Sequence, residues 1–410
     1  MDIFSAAAFD IVDPSDASED EAEPQPELLA DFPDQYDQFI TAATGSEPDP
    51  KRLRLTRKQA PLPLERPLGM AAVNMRAAAA ARGLSTSSFK RLILCGFPLV
   101  FLNALTMIET FFPISSSQRT DMSELFSGVA YVAQAWTDNG MKASVLDELR
   151  HSLHEDLLSP EGFMSAIRHV RDIKPGGLAH VATVCSTWVY LSRASTGRSM
   201  SKPMGFRGSK VTEDANCMAA RVSLLLIFMT AIGVWFLHEQ PLSSLISCTK
   251  MFGWAKNKAR TTLQGSWDET FLWMGAYGHD TSKPTHILSS GRWTRSLYKP
   301  LTPLQRFMLK PDSGVIHLPH NPSTMKRRIS GADGLKSSQA YPMAYGQRVL
   351  QLWSDRTEDQ PQVIEFSESD SEEEIEWPAW RVAHAECNWK ELRLEELVTG
   401  LGIPAGRLVP

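Results

Sequence analysis

Two long apolar runs dominate the hydropathy pattern of the chain, and strand-like and helix-like periods alternate around them. SLLLIFMTAIGVWFL, residues 223–237, carries no charge and is interrupted only by Gly233. It is too short to cross a bilayer, so it predicts a buried helix followed by a buried strand. The second run, 92–113, is longer, but Pro98, Asn103 and Glu109 lie inside it, which argues against a membrane span. It belongs to a helical stretch, 69–118, made of an Ala-rich piece at 71–81, a break at Gly83 and a cap within 85–88. From about 121 to 355 short strands alternate with helices, the pattern of a parallel sheet covered by helices, so the expected fold class is α/β.

Three segments of that alternation end in chemistry. DMSELFSGVAYVAQAW, 121–136, reads as a strand, a tight turn at Ser127 and Gly128, and a helix start. Free backbone N–H groups and the helix dipole at such a turn favour a nucleotide-like ligand. Asp147 follows Gly128 by nineteen residues, about the separation of an acid that binds a ribose hydroxyl. KPGGLAHVATVC, 174–185, reads as a helix-ending Gly pair and a strand that stops at Cys185; GVWFLHEQP, 233–241, reads as a strand that stops at Glu239. Strand ends of an open α/β sheet converge on one crevice, so the thiol, the carboxylate and the Gly128 turn are expected to share a pocket. The plain alternative for Cys185 is a buried apolar thiol.

Charge changes the picture of partners. Residues 1–50 hold fourteen acids and no Lys or Arg, 351–410 hold fourteen acids and five bases, and 51–350 carry a surplus of 18 positive charges. A basic body between acidic tails favours nucleic acid as partner, unless the tails neutralise the body in cis. The sequence therefore divides into 1–68, an acidic disordered tail closing in the basic KRLRLTRK (51–58); 69–118, a helical extension; 119–355, an α/β domain; and 356–410, a largely disordered acidic tail. The basic run resembles a nuclear localisation signal. Five scattered cysteines without a CxxC pair fit a reduced intracellular compartment, nuclear or cytoplasmic, and no membrane association is expected.

ELFSGVAYVAQAW, Cys185, the EQP at 239–241, the segment WMGAYGHDTSKPTHILSS (273–290) and AYPMAYGQRVLQLW (340–353) together resemble the DNA cytosine-5 methyltransferases and their shorter phage and algal relatives, over about 121–350. The resemblance implies a Rossmann-like methyltransferase fold with S-adenosylmethionine as cofactor, and DNA as the nucleic-acid partner. Phe126, Ser127 and Gly128 would hold the cofactor, Asp147 with Glu148 its ribose, and Asp156 its adenine. Cys185 would add to ring carbon six of a flipped cytosine while Glu239 holds ring nitrogen three. Such a thiol must be exposed and its thiolate favoured, and the base must leave the stack.

The chain departs from that pattern in four places. Val184 stands where the family has Pro before the cysteine, Ala130 and Tyr131 replace a Gly pair, EQP replaces ENV, and His279 and Lys283 are the nearest substitutes for a Gln-x-Arg-x-Arg strand. A catalytically inactive relative that binds or scaffolds nucleic acid is therefore the alternative function. Arg193 and Arg198, after the cysteine, together with Lys283, are candidate phosphate ligands; a plain surface turn is the other reading of 195–199. QVIEFSESDSEEE, 362–374, resembles a SUMO-interacting motif around Val363 and Phe366, with a solvated acidic linker as the alternative.

Overall fold

The computed structural model describes residues 86–147, 155–309, 316–317, 329–330 and 340–356. Both acidic tails, the basic run at 51–58, the Ala-rich piece, Glu148 and the segment around Val363 and Phe366 lie outside the described residues.

The described chain opens with helices α1 (Thr86–Leu94) and α2 (Leu99–Phe111), so the 92–113 run, expected to be one helical segment, is broken at Gly96 and Pro98. It continues through β1 (Thr120–Leu125), α3 (Tyr131–Asp138), β2 (Ala143–Leu146), α4 (Pro160–Arg171) and β3 (Ile173–Val181). A four-residue turn of helix, α5 (Arg193–Thr196), and the long α6 (Lys210–Ala231) lead to β4 (Trp235–Pro241) and α7 (Lys250–Thr261). The hairpin β5 (Asp268–Trp273) and β6 (Pro284–Ser289), then α8 (Pro303–Met308), a two-residue ladder of β7 (Ile316–His317) with β8 (Ile329–Ser330), and α9 (Met343–Asp355) complete the order.

Six strands form one mixed, mostly parallel sheet in the order β2-β1-β3-β4-β6-β5, with β6 antiparallel to both its neighbours. The fold is α/β, as expected. Strand direction reverses its march at β1: the chain steps outward to β2 and returns past β1 to β3. Ligand crevices of open α/β sheets lie outside the carboxyl ends of the strands at such a switch point.

Alternation along the strands sorts the core into two layers. Met122, Leu178, Trp235 and Leu237 face the layer of α3 and α9, with Tyr341 and Tyr345. Leu125, Ala179, Val181 and Phe236 face the other, which holds α1, α2, α4, α6 and α7. Gly346 lets α9 approach the backbone of α3, since a Cβ there would lie 2.9 Å from Tyr131 O and 3.0 Å from Val132 Cα.

The 223–237 run is the end of α6, a break at Gly233 in the left-handed region (φ 74°), and β4. By length and composition α6 is apolar enough to cross a membrane, yet 89% of its apolar window is buried within the fold. The Gly176–Gly177 pair corrects the reading of 174–185. It lies inside β3 rather than ending a helix, at a register shift where Ile173 pairs with Thr120 but Leu178 with Met122. A Cβ on Gly177 would sit 2.6 Å from Asp121 O, so the bulge admits only glycine there.

The described part of the 69–118 extension is not separable from the sheet. Leu92, Phe97, Phe101 and Leu105 are in one core with α6 and α4, and Arg91 donates to Ala231 O at the carboxyl end of α6 (2.8 Å). Arg171 ties α2 to the end of α4: it donates to Phe112 O (2.8 Å) and lies 3.5 Å from the Glu109 carboxylate, both side chains being buried. Burial, outweighing Arg171, raises the Glu109 pKa. Removing one partner of a buried pair leaves an uncompensated charge. Arg171→Ala is therefore expected to lower the unfolding free energy by about 3–5 kcal/mol, read as a shift of the urea midpoint, with Glu109→Gln milder because the amide is neutral.

Candidate functional site

The turn after β1 is built from alternating left-handed residues. Phe126 (φ 61°), Gly128 (φ 51°) and Ala130 (φ 61°) all occupy that region, and Ser127 O accepts from Ala130 N–H (2.7 Å) to close it. For Phe and Ala this conformation costs about 1–2 kcal/mol each, and strain of this kind gathers at ligand sites. Ala130 thus keeps a glycine-type backbone without glycine. Asp147, immediately after β2, holds the turn from the next strand: its Oδ2 accepts from Gly128 N–H at 2.7 Å. The nineteen-residue spacing thus brings Asp147 to the turn, where it takes the Gly128 N–H that the sequence pattern leaves free for a ligand. Gly128 is exposed, and a Cβ there would meet nothing within 4 Å, so there is open space above the turn.

Asp156 is occupied locally. Its Oδ1 accepts from Leu158 N–H (2.8 Å), and its carbonyl accepts from the N–H and hydroxyl of Ser159, which caps α4. The carboxylate that meets Asp147 is Glu155, whose Oε2 accepts from Asp147 N–H at 2.8 Å.

Cys185 does not end a strand. β3 stops at Val181, and the thiol sits four residues on, in a loop clamped from β4. Gln240 Nε2 donates to Thr183 O (2.7 Å), and His238 Nε2 lies 3.0 Å from Thr183 Oγ1. Gln240 is itself fixed by Ser244 Oγ (2.9 Å). Val184, before the thiol, is 51% exposed.

Glu239 lies within β4, which runs on to Pro241, and its side chain is buried. Oε2 accepts from the Tyr341 hydroxyl at 2.7 Å, while Oε1 meets no hydrogen-bond donor among the described residues. Lys283 precedes β6 with φ 38°, and its ammonium stands 4.7 Å from the centre of the Tyr341 ring. Burial first and the Glu239 charge second push the Cys185 thiol up to about 11, against the opposing pull of Lys283. The expectation of an exposed, thiolate-favouring cysteine is thereby corrected: Cys185 is half-buried and protonated at neutral pH.

A buried polar chain beneath the crevice escaped sequence reasoning. Glu124 Oε2 accepts from Ala133 N–H in the first turn of α3 (2.7 Å), and Oε1 lies 4.0 Å from His180 Nδ1. His180 Nε2 is 3.3 Å from the Tyr345 hydroxyl, and its ring meets Tyr341 edge-on at 5.2 Å. Burial lowers His180 and His238 to about 3, so both are neutral, and it drives Tyr341 and Tyr345 well above the usual phenol range. Glu124 was legible only as the acid before the Leu-Phe-Ser-Gly turn; nothing in the residue types announced that Tyr341 would reach Glu239.

Of the three candidate phosphate ligands, Lys283 stands with Cys185 and Glu239. Arg198 is buried: it donates to Asn216 Oδ1 (2.9 Å) and Thr212 O (3.3 Å) and lies 3.4 Å from the centre of the Trp188 ring. Desolvation lowers its pKa to about 10, and it holds a loop rather than a phosphate. Arg193 is half-buried, 5.0 Å from the Tyr190 ring centre. His279 closes a local turn through Thr281 N–H (3.0 Å). Among the described residues no group of His, Cys, Asp and Glu is arranged to hold a metal ion.

No protein-family model matches the sequence, and no curated protein matches it.

Two outcomes test this geometry. Alkylation of Cys185 followed by peptide mass spectrometry is expected to titrate near pH 11; Glu239→Gln removes a charge that favours the protonated thiol, so the midpoint falls and the rate at pH 8 rises severalfold. The two neutral histidines bind fewer protons folded than unfolded, so stability rises with pH from about 3 to the unfolded value of 6.5. The slope reaches about 1.4 kcal/mol per pH unit for each. Urea titrations of His238→Gln across that window are expected to show a shallower slope.

Proposed function

We propose that the chain is a methyltransferase of Rossmann-like fold, related to the DNA cytosine-5 methyltransferases, that uses S-adenosylmethionine to methylate a nucleic-acid base through Cys185. The observation that carries this reading is the Gly128 N–H to Asp147 bond at the same sheet edge as Cys185, Glu239 and Lys283. Because β1, β2, β3 and β4 run parallel and β6 runs against them, their carboxyl ends and the start of β6 share that edge.

The crevice suits this cofactor better than a dinucleotide. A pyrophosphate binds at a helix N-terminus through free N–H groups, but here the Glu124 carboxylate already accepts from the first turn of α3, with Asp147 and Glu155 close by. Their negative field repels phosphate and favours a ligand carrying a sulfonium and an amine. The open space above Gly128 and the buried Ser127 hydroxyl, which has no partner among the described residues, offer contacts along the turn. When bound, S-adenosylmethionine supplies the electrophilic methyl group.

The chain's own residues supply the rest. Tyr341 pins Glu239 Oε2 and leaves Oε1 to meet the ring nitrogen of a base. To donate to an unprotonated nitrogen Glu239 must take a proton, and doing so removes the charge that raises the Cys185 pKa. Base capture and thiol activation are thus coupled, with Lys283 favouring the thiolate throughout. The second reading, an inactive relative that binds or scaffolds nucleic acid, draws on exposed Val184 and on the resting thiol near 11.

Calorimetry with S-adenosylmethionine is expected to show binding by the parent protein. Asp147→Ala should weaken it about tenfold or more, the effect of losing a charged hydrogen-bond partner, while Asp156→Ala should change it little. A parent that does not bind removes the cofactor from the reading. Binding without a covalent adduct on a 5-fluorocytosine oligonucleotide selects the inactive relative.

A further inference from the structure

Exposed apolar surface is concentrated on one short element that the proposed chemistry does not use. Helix α8 (Pro303–Met308) leaves 66% of Leu304, 88% of Phe307 and 72% of Met308 in solvent, and Phe307 is the most exposed large apolar side chain among the described residues. Residues at i, i+3 and i+4 share one helix face, so the three form a single apolar ridge. A contiguous ridge of this kind on a folded surface marks a site of interaction.

The ridge stands on a helix that is fixed at both ends. Thr302 and Gln305 close a reciprocal capping box, Gln305 N–H donating to Thr302 Oγ1 (3.2 Å) and Thr302 N–H to Gln305 Oε1 (2.9 Å), with Pro303 as the first helical residue. Leu301 and Leu309, before and after the helix, both pack on the turn at Met274–Tyr277: a Cβ on Gly275 would lie 2.7 Å from Leu309 Cδ1 and 3.3 Å from Leu301 Cδ2. That turn is bonded to the residues before β6, through Met274 N–H to Lys283 O (3.2 Å) and Gly275 N–H to Ser282 O (3.1 Å). Trp273 pairs with Pro284, and Thr285 with Pro241 at the end of β4. Helix α8 is therefore seated at the same sheet edge as Glu239 and Cys185, with its apolar ridge turned outward.

We propose that α8 is an apolar wedge that enters the base stack of a nucleic-acid duplex beside the nucleotide presented to Cys185, with Phe307 leading and Arg306 and Lys299 on the flanking phosphates. The inference rests on the nucleic-acid reading above and adds to it a paired substrate and the means of opening it. Residues 281–309 contain five bases and no acid, which supplies the complementary charge. Arg306 and Lys299 are both exposed, and the Lys299 ammonium lies 5.2 Å from the ring centre of Tyr277, in the turn that seats α8. A stacked duplex is apolar between its bases and anionic outside, the profile that an apolar ridge among cations fits. Phe, Leu and Met side chains inserted at a base step unstack it, and burying them offsets part of that cost. A base must leave the stack to reach Glu239 and Cys185, and a step already opened at the rim makes its exit less costly. An anionic membrane shares the charge pattern, but the seating of α8 at the edge that holds Glu239 makes the ridge continuous with the proposed base site.

The test uses the full chain without S-adenosylmethionine, so that it is independent of cofactor binding. Fluorescence anisotropy with a labelled DNA duplex gives affinity over a range of salt concentrations, and a second duplex carrying 2-aminopurine at several positions brightens where stacking is lost. The parent is expected to bind the duplex and to brighten the probe. Phe307→Ala should bind about tenfold more weakly, as the loss of one large buried apolar side chain predicts, and should leave the probe dark. Its urea midpoint should match the parent's, because the ring lies outside the core. Phe307→Leu should retain both signals. Arg306→Gln should instead reduce the salt slope by about one while the probe still brightens. Duplex binding with a dark probe, or a Phe307→Ala protein that binds and brightens like the parent, would overturn the wedge and leave the nucleic-acid reading standing. No binding to the duplex or to its separated strands would remove both. Loss of phosphatidylserine vesicle binding in Phe307→Ala, or its conversion of a dimer to a monomer, with duplex binding intact would assign the ridge to a membrane or to a second copy of the chain and overturn the proposal.

Discussion

A carboxylate buried in the face of a parallel sheet must find hydrogen-bond donors away from its own strand, and two of them organise this protein. Glu124 on β1 meets Ala133 N–H in the first turn of α3, and Glu239 on β4 meets the hydroxyl of Tyr341, 102 residues later in the chain. Unsatisfied, either would carry a desolvation penalty of several kcal/mol. The first bond seats α3 on the sheet and so sets the Phe126–Gly128–Ala130 turn. The second brings the start of α9 over the carboxyl edge, where Gly346 completes the contact with α3. The crevice owes its shape and its negative field to the same two groups.

Buried arginines perform the matching task on the other layer. Arg91, Arg171 and Arg221 are almost wholly inside and donate to carbonyls at the ends of elements: Ala231 O, Phe112 O, and Leu157 and Ser159 O respectively. Arg198 does the same for the lobe after Cys185. Burial removes charge of both signs: Lys258 and these four arginines are inside, but so are Glu109, Glu124, Asp147, Glu239 and Asp268, so among the described residues the positive surplus of the central region is left to the surface.

Cys185 and Glu239 are better understood as a coupled pair than as two independent groups. The loop before the thiol is clamped by Gln240 and His238, the residues on either side of Glu239 in β4, so the strand that carries the acid also fixes the position of the cysteine. Neutral His238 and neutral His180 keep this clamp and the chain beneath the crevice free of protonic charge across the physiological range. The thiol responds mainly to burial and then to Glu239, which is why the resting state is unreactive.

Local patterns determined the parts of this structure that near neighbours encode. The β1–turn–α3 unit and the α6–Gly233–β4 run follow from periodicity and glycine placement. Only the tertiary structure decided the features that depend on distant strands. The Gly176–Gly177 pair became a bulge because β3 must rejoin β1 around Asp121 O, and β6 entered between β4 and β5 by turning back from β5 in a hairpin. Arg198 went inside because Trp188 and Asn216 meet it there, and the Glu155 carboxylate accepts from Asp147 N–H. Side-chain type specifies what a group can bond to, but which partner arrives is set by long-range packing, and that is why the acid and the tyrosine that complete the site were invisible along the chain.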